Sequence, residues 1–249
     1  MEKLLITLGD SWTEGVGIYE DHILEKYGNP PIFNGSDINH QQDMLHVRRY
    51  FQENCWSTKL AKKINYNIVN LGKGGAANSA AAKYFYDYVN THNLDSYDKI
   101  LVIFLISEPI RFSFYSSYPN ITSILPHVNE NQYYKASADF KIFLKYFLTN
   151  LQSNNIDSWK ETKFYIQTIS ALCKIRNFNF FYGSAFTPLS NEIDSNDSTF
   201  LGYAFKNKCF SSELQYPAEY AKCGHPNEIG YSKMCELMYS ELLSKNYEF

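Results

Sequence analysis

The feature that most constrains the fold of this chain is an apolar run at residues 99–106, KILVIFLI. After the lysine, every residue of the run is aliphatic or aromatic. A strand with one exposed face alternates apolar and polar residues, whereas a strand covered on both faces is apolar throughout. The run therefore predicts a strand in a sheet that is covered on both sides.

Strands and helices alternate along the rest of the chain. Residues 56–64 have helical spacing, and the short β-rich stretch NIVNL follows at 67–71. The predicted strands are 1–8, 67–71, 99–106 and 179–184, and the predicted helices are 56–64, 76–89, 131–151, 158–176 and 228–243. This alternation predicts an α/β fold, a three-layer α/β/α sandwich with a parallel sheet between two helical layers.

The length of the chain and two irregular segments indicate one domain with insertions. A chain of 249 residues is long enough for a full core, and α/β architectures of this size commonly form one domain. Residues 18–54 contain two adjacent prolines and lack a sustained period, and residues 188–222 are polar and irregular. We predict a single domain over residues 1–249 with loop insertions near 18–54 and 188–222.

Composition excludes several classes of protein. The formal net charge of -3 gives no reason to expect nucleic acid or an anionic membrane as a partner. The five cysteines lack metal-ligand spacing, so we expect no metal site, no disulfide framework and a reducing compartment such as the cytoplasm. No run approaches a membrane span, and the first apolar stretch ends at Gly9-Asp10 without the cleavage site of a signal peptide. Oligomeric state is left open.

Four motifs rich in glycine and polar residues stand beside the predicted strands and the last helix. They are GDSWTEG at 9–15, NLGKGGAAN at 70–78, LISEP at 105–109 and CGHPNEIGY at 223–231. In open α/β sheets, functional residues gather beyond the carboxyl ends of the strands. The sequence therefore predicts one site built from these motifs.

The first and last motifs carry a resemblance. Gly-Asp-Ser-x-Thr-x-Gly after an N-terminal strand, with His-Pro-Asn-x-x-Gly before a C-terminal helix, resembles the SGNH (GDSL-type) hydrolase family. The resemblance implies a flavodoxin-like sheet and an ester hydrolase without cofactor or metal, with Ser11 as nucleophile and His225 as its base. It also implies that the N–H groups of Ser11 and Gly75 stabilise the oxyanion, a charge that needs preorganised donors.

One departure from that family concerns the oxyanion site. The resemblance implies an asparagine in a Gly-x-Asn-Asp block after the third strand, where this chain has LISEP. Three residues are candidates for the missing donor: the hydroxyl of Ser107, the side-chain amide of Asn78 and a protonated Glu108. The third donor is left unassigned among them.

A second departure concerns the orientation of the histidine. The resemblance implies an aspartate three residues before His225, where this chain has Lys222. A lysine cannot accept a hydrogen bond from the imidazole. The sequence leaves three alternatives for orienting His225: a backbone carbonyl, a carboxylate from elsewhere such as Glu108 or Glu219, or no partner at all.

Three functions compete at this stage. The leading hypothesis is a serine esterase that cleaves small acyl esters, with O-acetyl groups on carbohydrates as an expected substrate class. The alternative is a catalytically weak or inactive protein of this fold that binds a glycan or a protein partner, favoured by the two departures. A third interpretation, a phosphate site at the first turn, leaves the His225 motif unexplained.

Overall fold

The computed structural model describes residues 2–28, 31, 38–107, 112–115, 121–124, 158–184, 197–201, 219–221 and 224–249. Its strands are β1 (Glu2–Leu8), β2 (Asn67–Asn70), β3 (Tyr97–Ile106), β4 (Phe112–Tyr115), β5 (Ile121–Ile124) and β6 (Asn179–Ser184). Its helices are α1 (Ser11–Glu14), α2 (Asp21–Tyr27), α3 (Ile38–Asn54), α4 (Trp56–Ile64), α5 (Asn78–Thr91), α6 (Ser158–Ile175) and α7 (Glu228–Ser244).

The main sheet has the strand order β2-β1-β3-β6, and every pairing within it is parallel. The chain crosses from β1 to β2 on one side and then returns to place β3 on the other side of β1. The order therefore reverses between β1 and β3, and an open parallel sheet binds its ligands at such a reversal, beyond the carboxyl ends of the strands. The first and third motifs lie at these two strand ends.

Alternate residues of the central strands face two separate cores. Leu5 of β1 and Leu101 of β3 belong to a cluster that includes side chains of α4 and α7. Ile6 of β1 and Val102 of β3 belong to a second cluster, with side chains of α5 and α6. Because strand side chains alternate between the faces of a sheet, this division places helices on both faces. The predicted three-layer α/β/α fold is confirmed.

Most predicted elements are found close to their predicted bounds. β6 spans the six residues 179–184, as the sequence predicts, and α4 matches the predicted helix 56–64. The last helix ends at Ser244, one residue beyond its predicted end. The predicted helix at 131–151 and most of the predicted insertion at 188–222 lie outside the described residues.

The expectation that residues 18–54 form loops was wrong, because α2 and α3 occupy much of that segment. Of the described side chains of α3, only Val47 and Phe51 are buried. These two buried side chains lie one turn apart, half-buried Tyr50 packs beside them, and Leu45 is an apolar residue that is 66% exposed. The helical period is therefore weak in the sequence.

The sequence reading also missed the antiparallel pair β4 and β5. Phe112 pairs with Ile124, and Tyr115 pairs with Ile121. Aromatic and β-branched residues at these positions favour strands, but each strand is only four residues long. So short a stretch gives too few residues for a period to be recognised.

None of the helices in the described part of the chain combines the length and the hydropathy needed to cross a bilayer.

Candidate active site

The first component of the site is Ser11, which begins α1 directly beyond the carboxyl end of β1. Asp10 caps this short helix, because its Oδ1 accepts a hydrogen bond from the N–H of Trp12 at 3.0 Å. The carbonyl of Asp10 accepts a second bond from the N–H of Glu14 at 2.9 Å. Asp10 is fully buried, whereas Ser11 keeps 9% of its surface exposed. Asp10 therefore shapes the turn that presents Ser11.

The second component is His225, in a tight turn that precedes α7. Its carbonyl accepts a hydrogen bond from the N–H of Ala221 at 2.8 Å. Two residues after it, Asn227 caps α7 by accepting a hydrogen bond from the N–H of Gly230 at 3.0 Å. These two bonds hold the chain on either side of His225 and fix the position of the imidazole relative to α7.

Tyr231 connects α7, the helix that follows His225, to α1, the helix that begins at Ser11. The sequence analysis did not assign this role. Its hydroxyl donates a hydrogen bond to the carbonyl of Val16 at 2.8 Å, and its side chain is fully buried. The N–H of Val16 in turn donates to the carbonyl of Ser11 at 3.0 Å. Two hydrogen bonds in series therefore couple α7 to the first residue of α1.

The structure brings the two predicted residues together. Nε2 of His225 lies 2.9 Å from Oγ of Ser11. This is the distance of a hydrogen bond and within the range over which an imidazole acts as a general base toward a hydroxyl. Ser11 lies beyond the carboxyl end of β1, one of the two strands between which the strand order reverses. Chemically, the arrangement can deprotonate Ser11 as its oxygen attacks a carbonyl carbon.

The loop after β2 packs tightly against α1. A Cβ added at Gly72 would lie 2.6 Å from the backbone nitrogen of Glu14 and 2.7 Å from Cβ of Thr13, so only glycine fits there. Asn70 fastens the same contact: its amide donates to the carbonyl of Thr13 at 2.7 Å, and its Oδ1 accepts from the N–H of Gly72 at 2.9 Å. Asn70 was not singled out from the sequence, although a polar residue ending a strand is a usable signal.

Within that loop, two neighbouring N–H groups differ in availability. Glu14 accepts a hydrogen bond from the N–H of Gly74 at 2.6 Å, so that donor is occupied. Gly75 has a φ of 76°, and a Cβ added there would meet nothing within 4 Å. The hydrogen bonds among the described residues include none donated by the N–H of Gly75 or of Ser11. Within the described part of the chain, no acceptor therefore competes with a ligand for these two groups.

Asn78 and Ser107, both predicted to contact substrate, are hydrogen-bonded to each other. The N–H and the hydroxyl of Ser107 donate to Oδ1 of Asn78 at 2.9 and 3.0 Å. The amide of Asn78 donates to the carbonyl of Ser107 and to Oγ1 of Thr162, both at 3.3 Å. All three residues are buried. The pair ties the start of α5 to the end of β3, and its role toward substrate stays a prediction.

Two of the predicted residues, Glu108 and Lys222, lie outside the described residues. Glu219, one of the two carboxylates considered as partners for His225, is described. Its carboxylate accepts a hydrogen bond from Nζ of Lys233 on α7 at 3.3 Å. Its backbone carbonyl accepts from the N–H of Asn227 at 3.0 Å. These contacts place Glu219 in the scaffold of the His225 turn.

The described cysteines are poor candidates for a nucleophile. Cys55, Cys173 and Cys235 are free thiols, and all three are buried. Burial raises the pKa of the Cys173 thiol to about 12 and that of Cys235 to about 11. The thiolate is the reactive form of cysteine, so these two thiols are inert near neutral pH.

A cavity of about 380 Å³ lies beside the His225 turn. Its walls include Asn227 and Ala221, which flank His225 along the chain, and the aromatic rings of Tyr19 and Tyr50. Its volume is within the range of small-molecule sites, and tyrosines combine apolar area with a polar tip. This cavity, which we call the tyrosine cavity, is therefore a candidate for holding part of a ligand next to His225.

No family model and no curated protein sequence matches the chain. Solved structures do: a lipase from a goat rumen metagenome is 14% identical with a TM-score of 0.39, over 99% of this chain and 98% of its own. A member of the lipolytic protein G-D-S-L family from Veillonella parvula is 16% identical with a TM-score of 0.35, over 97% of both chains. A catalytic mutant of an acetylxylan esterase from Geobacillus stearothermophilus is 12% identical with a TM-score of 0.33, over 97% of this chain and 94% of its own. At these TM-scores, the function has to be inferred from the residues of the site.

Proposed function

We propose that the chain is a serine esterase in which Ser11 forms an acyl-enzyme and His225 is the general base. The observation that carries the proposal is the 2.9 Å separation between Oγ of Ser11 and Nε2 of His225. A serine hydroxyl needs an adjacent base to become an effective nucleophile. The position of the pair beyond the carboxyl end of β1, where α/β sheets hold their ligands, supports the same function.

The proposed reaction has two steps. In the first, Nε2 of His225 takes the proton of the Ser11 hydroxyl while Oγ attacks the ester carbonyl carbon, and the imidazolium then gives that proton to the departing alcohol oxygen. In the second, His225 deprotonates a water molecule that attacks the acyl carbon. The imidazolium then returns the proton to Oγ of Ser11 as the bond between the acyl carbon and Oγ breaks and the carboxylic acid leaves. The carbonyl oxygen carries negative charge in both transition states. The N–H groups of Ser11 and Gly75 are the donors proposed to stabilise it.

For the substrate, we propose a small acyl group on an alcohol of the carbohydrate class. The cavity beside His225 offers a place for the alcohol portion, because Tyr19 and Tyr50 line it and aromatic rings pack against sugar faces while their hydroxyls form hydrogen bonds. An O-acetyl group places the reacting carbonyl close to the sugar ring. A short acyl chain therefore suits a site that binds its substrate mainly through the alcohol.

The test is turnover of p-nitrophenyl acetate and butyrate, together with labelling by a fluorophosphonate probe, in wild type and Ser11→Ala. The matched control is Ser240→Ala, which removes an exposed hydroxyl on α7. We expect Ser11→Ala to lose both activities and Ser240→Ala to keep them. Retention of wild-type turnover by a folded Ser11→Ala variant would show that Ser11 is not the nucleophile.

The alternative function is binding without catalysis, and one observation favours it: the described lining of the tyrosine cavity does not include Ser11. A glycan could occupy such a cavity without reacting. Titration with short xylo-oligosaccharides, followed by tyrosine fluorescence, separates the two functions. Binding by a wild-type protein that fails to label with the fluorophosphonate supports the alternative.

A further inference from the structure

Three side chains with metal-binding atoms converge outside the proposed active site. Glu20, His22 and His46 each offer one ligand atom, and these atoms all lie within 4.8 Å of one another. Nε2 of His46 is hydrogen-bonded to the carboxylate of Glu20, and the rings of His22 and His46 have centroids 5.9 Å apart. The sequence does not indicate this cluster, since 26 positions separate Glu20 from His46.

The fold holds the two sides of the cluster together independently of any ion. Glu20 and His22 lie at the start of α2, and His46 lies on α3. Asp43, on α3, accepts hydrogen bonds from Nζ of Lys26 at 2.7 Å and from the hydroxyl of Tyr27. This second contact between α2 and α3 fixes their spacing next to the cluster. Two sets of side-chain contacts therefore join α2 to α3 beside the three ligand atoms.

The donor set determines the class of ion. Two imidazoles and one carboxylate suit zinc and its first-row neighbours, whereas calcium and magnesium prefer oxygen ligands alone. Ligand atoms around tetrahedral zinc are about 3.4 Å apart when each bond is about 2.0–2.1 Å long, so small rotamer changes bring this cluster into range. The side chains of His46 and Glu20 are 50% and 29% exposed, which leaves an entry path and room for water.

We propose that Glu20, His22 and His46 bind one divalent transition-metal ion of the zinc class, with water completing its coordination. The ion links α2 to α3 and thereby stabilises the segment that follows α1. Tyr19, the residue before Glu20, packs against Phe51 of α3 with ring centroids 5.1 Å apart, so the linked helices also hold one wall of the tyrosine cavity. The proposal does not depend on the esterase function.

The first experiment measures zinc affinity of the full chain after chelator treatment and dialysis, by competition with a chromophoric chelator. Wild type is compared with His22→Gln and His46→Gln. The control is His92→Gln, which removes an exposed histidine that stacks on Tyr88 of α5, away from the cluster. We expect wild type and His92→Gln to bind with equal affinity. Each ligand variant is expected to weaken the strongest site by about 10-fold or more, since even outer-shell changes cost 10- to 100-fold.

The second experiment measures the thermal midpoint with and without zinc, with magnesium as the negative probe. An ion that binds only the folded state raises the midpoint, so zinc is expected to raise that of wild type and not that of His22→Gln. Glu20→Gln tests the third ligand if a histidine variant fails to fold. Equal zinc affinity in wild type and in the folded ligand variants overturns the proposal.

Discussion

Oγ of Ser11 lies 2.9 Å from Nε2 of His225, although 214 positions separate the two residues. The contact exists because β1 delivers Ser11 to the carboxyl edge of the sheet and the turn before α7 brings His225 to the same edge. Tyr231 reinforces it through its hydrogen bond to the carbonyl of Val16. The distance between Ser11 and His225 therefore depends on β1, on the turn before α7 and on Tyr231.

Replacement of His225 by alanine removes the base while leaving Ser11 in place. We expect kcat for p-nitrophenyl acetate to fall by about 10³-fold or more, because loss of the histidine of a serine hydrolase costs nearly as much as loss of the serine. Fluorophosphonate labelling should slow in parallel. His92→Gln is the control, since that histidine lies on another part of the surface. A folded His225→Ala protein that turns over at half the wild-type rate contradicts the assignment.

Those strands and helices whose hydrophobic pattern lies within a single segment could be predicted from the sequence. The apolar run of β3 predicts a strand covered on both faces because its burial needs no pattern beyond hydrophobicity. α3 lacked such a signal, since only Val47 and Phe51 are buried among its described side chains. The hydrophobic period of a helix can be recognised in the sequence only when the helix buries a wide face. A helix with a narrow buried face has too few apolar positions to show that period.

The residues of the candidate site also fall into those with a local signal in the sequence and those without one. The predictions for Ser11 and His225 came from the resemblance carried by two local motifs, each of which lies within a few adjacent residues. The contact between Glu14 and Gly74 joins residues 60 positions apart, and that between Asn78 and Ser107 joins residues 29 positions apart. Such pairings follow from the register of the sheet and cannot be derived from either segment alone.

Gly75→Val tests the second oxyanion donor. Valine is strained at a φ of 76°, so the peptide is expected to reorient and move its N–H away from Ser11. We expect kcat to fall by about 10²-fold or more, the effect of losing one oxyanion donor. Gly28→Val is the control: Gly28 also has a positive φ, 85°, at the end of α2, so this substitution places a valine at a positive φ elsewhere in the chain. An unchanged kcat would assign the donor to another group.

Glu14 is expected to position the same loop through its hydrogen bond from the N–H of Gly74. Glu14→Ala removes the acceptor and should lower kcat by about 10-fold, with a smaller change in KM, because the loop no longer holds Gly75 in place. Glu14→Gln keeps an acceptor oxygen and should stay close to wild type. If glutamine proves as harmful as alanine, the negative charge matters and the positioning role is refuted.

Glu241 is expected to lower stability at neutral pH. It is 4% exposed on α7, and burial raises the pKa of its carboxyl, opposed in part by Lys245 and Ser244. A carboxyl with a raised pKa in the folded state contributes no penalty below its unfolded pKa, and stability is lost as pH rises through the folded value. Glu241→Gln should raise the thermal midpoint at pH 7 by about 2–4 °C, the shift for 1 kcal/mol in a domain of this size.

The same substitution should have a much smaller effect at pH 4, where the carboxyl is mostly protonated in the folded and in the unfolded state. Glu53→Gln, on an exposed position of α3, serves as the control and should leave the midpoint unchanged at both pH values. Scanning calorimetry of the three proteins at the two pH values measures the difference. A gain that persists undiminished at pH 4 would mean that lost packing strain, and not the charge, explains it.

Lys222→Asp tests how His225 is oriented, and this prediction comes from the sequence, because Lys222 lies outside the described residues. Lys222 lies three residues before His225, at the position where the resemblance to the SGNH hydrolases implies an aspartate. A lysine close to an imidazole disfavours the imidazolium that forms when Ser11 loses its proton, whereas a carboxylate stabilises it. We therefore expect Lys222→Asp to raise kcat/KM for an activated ester.

Lys222→Ala separates the two effects, since it removes the repulsion without adding an acceptor and should give a smaller gain. The measurement is a pH–rate profile of all three proteins. An unchanged or lower rate in a folded Lys222→Asp protein would mean that another group already orients His225. Glu108 and Glu219 would then be the next residues to replace.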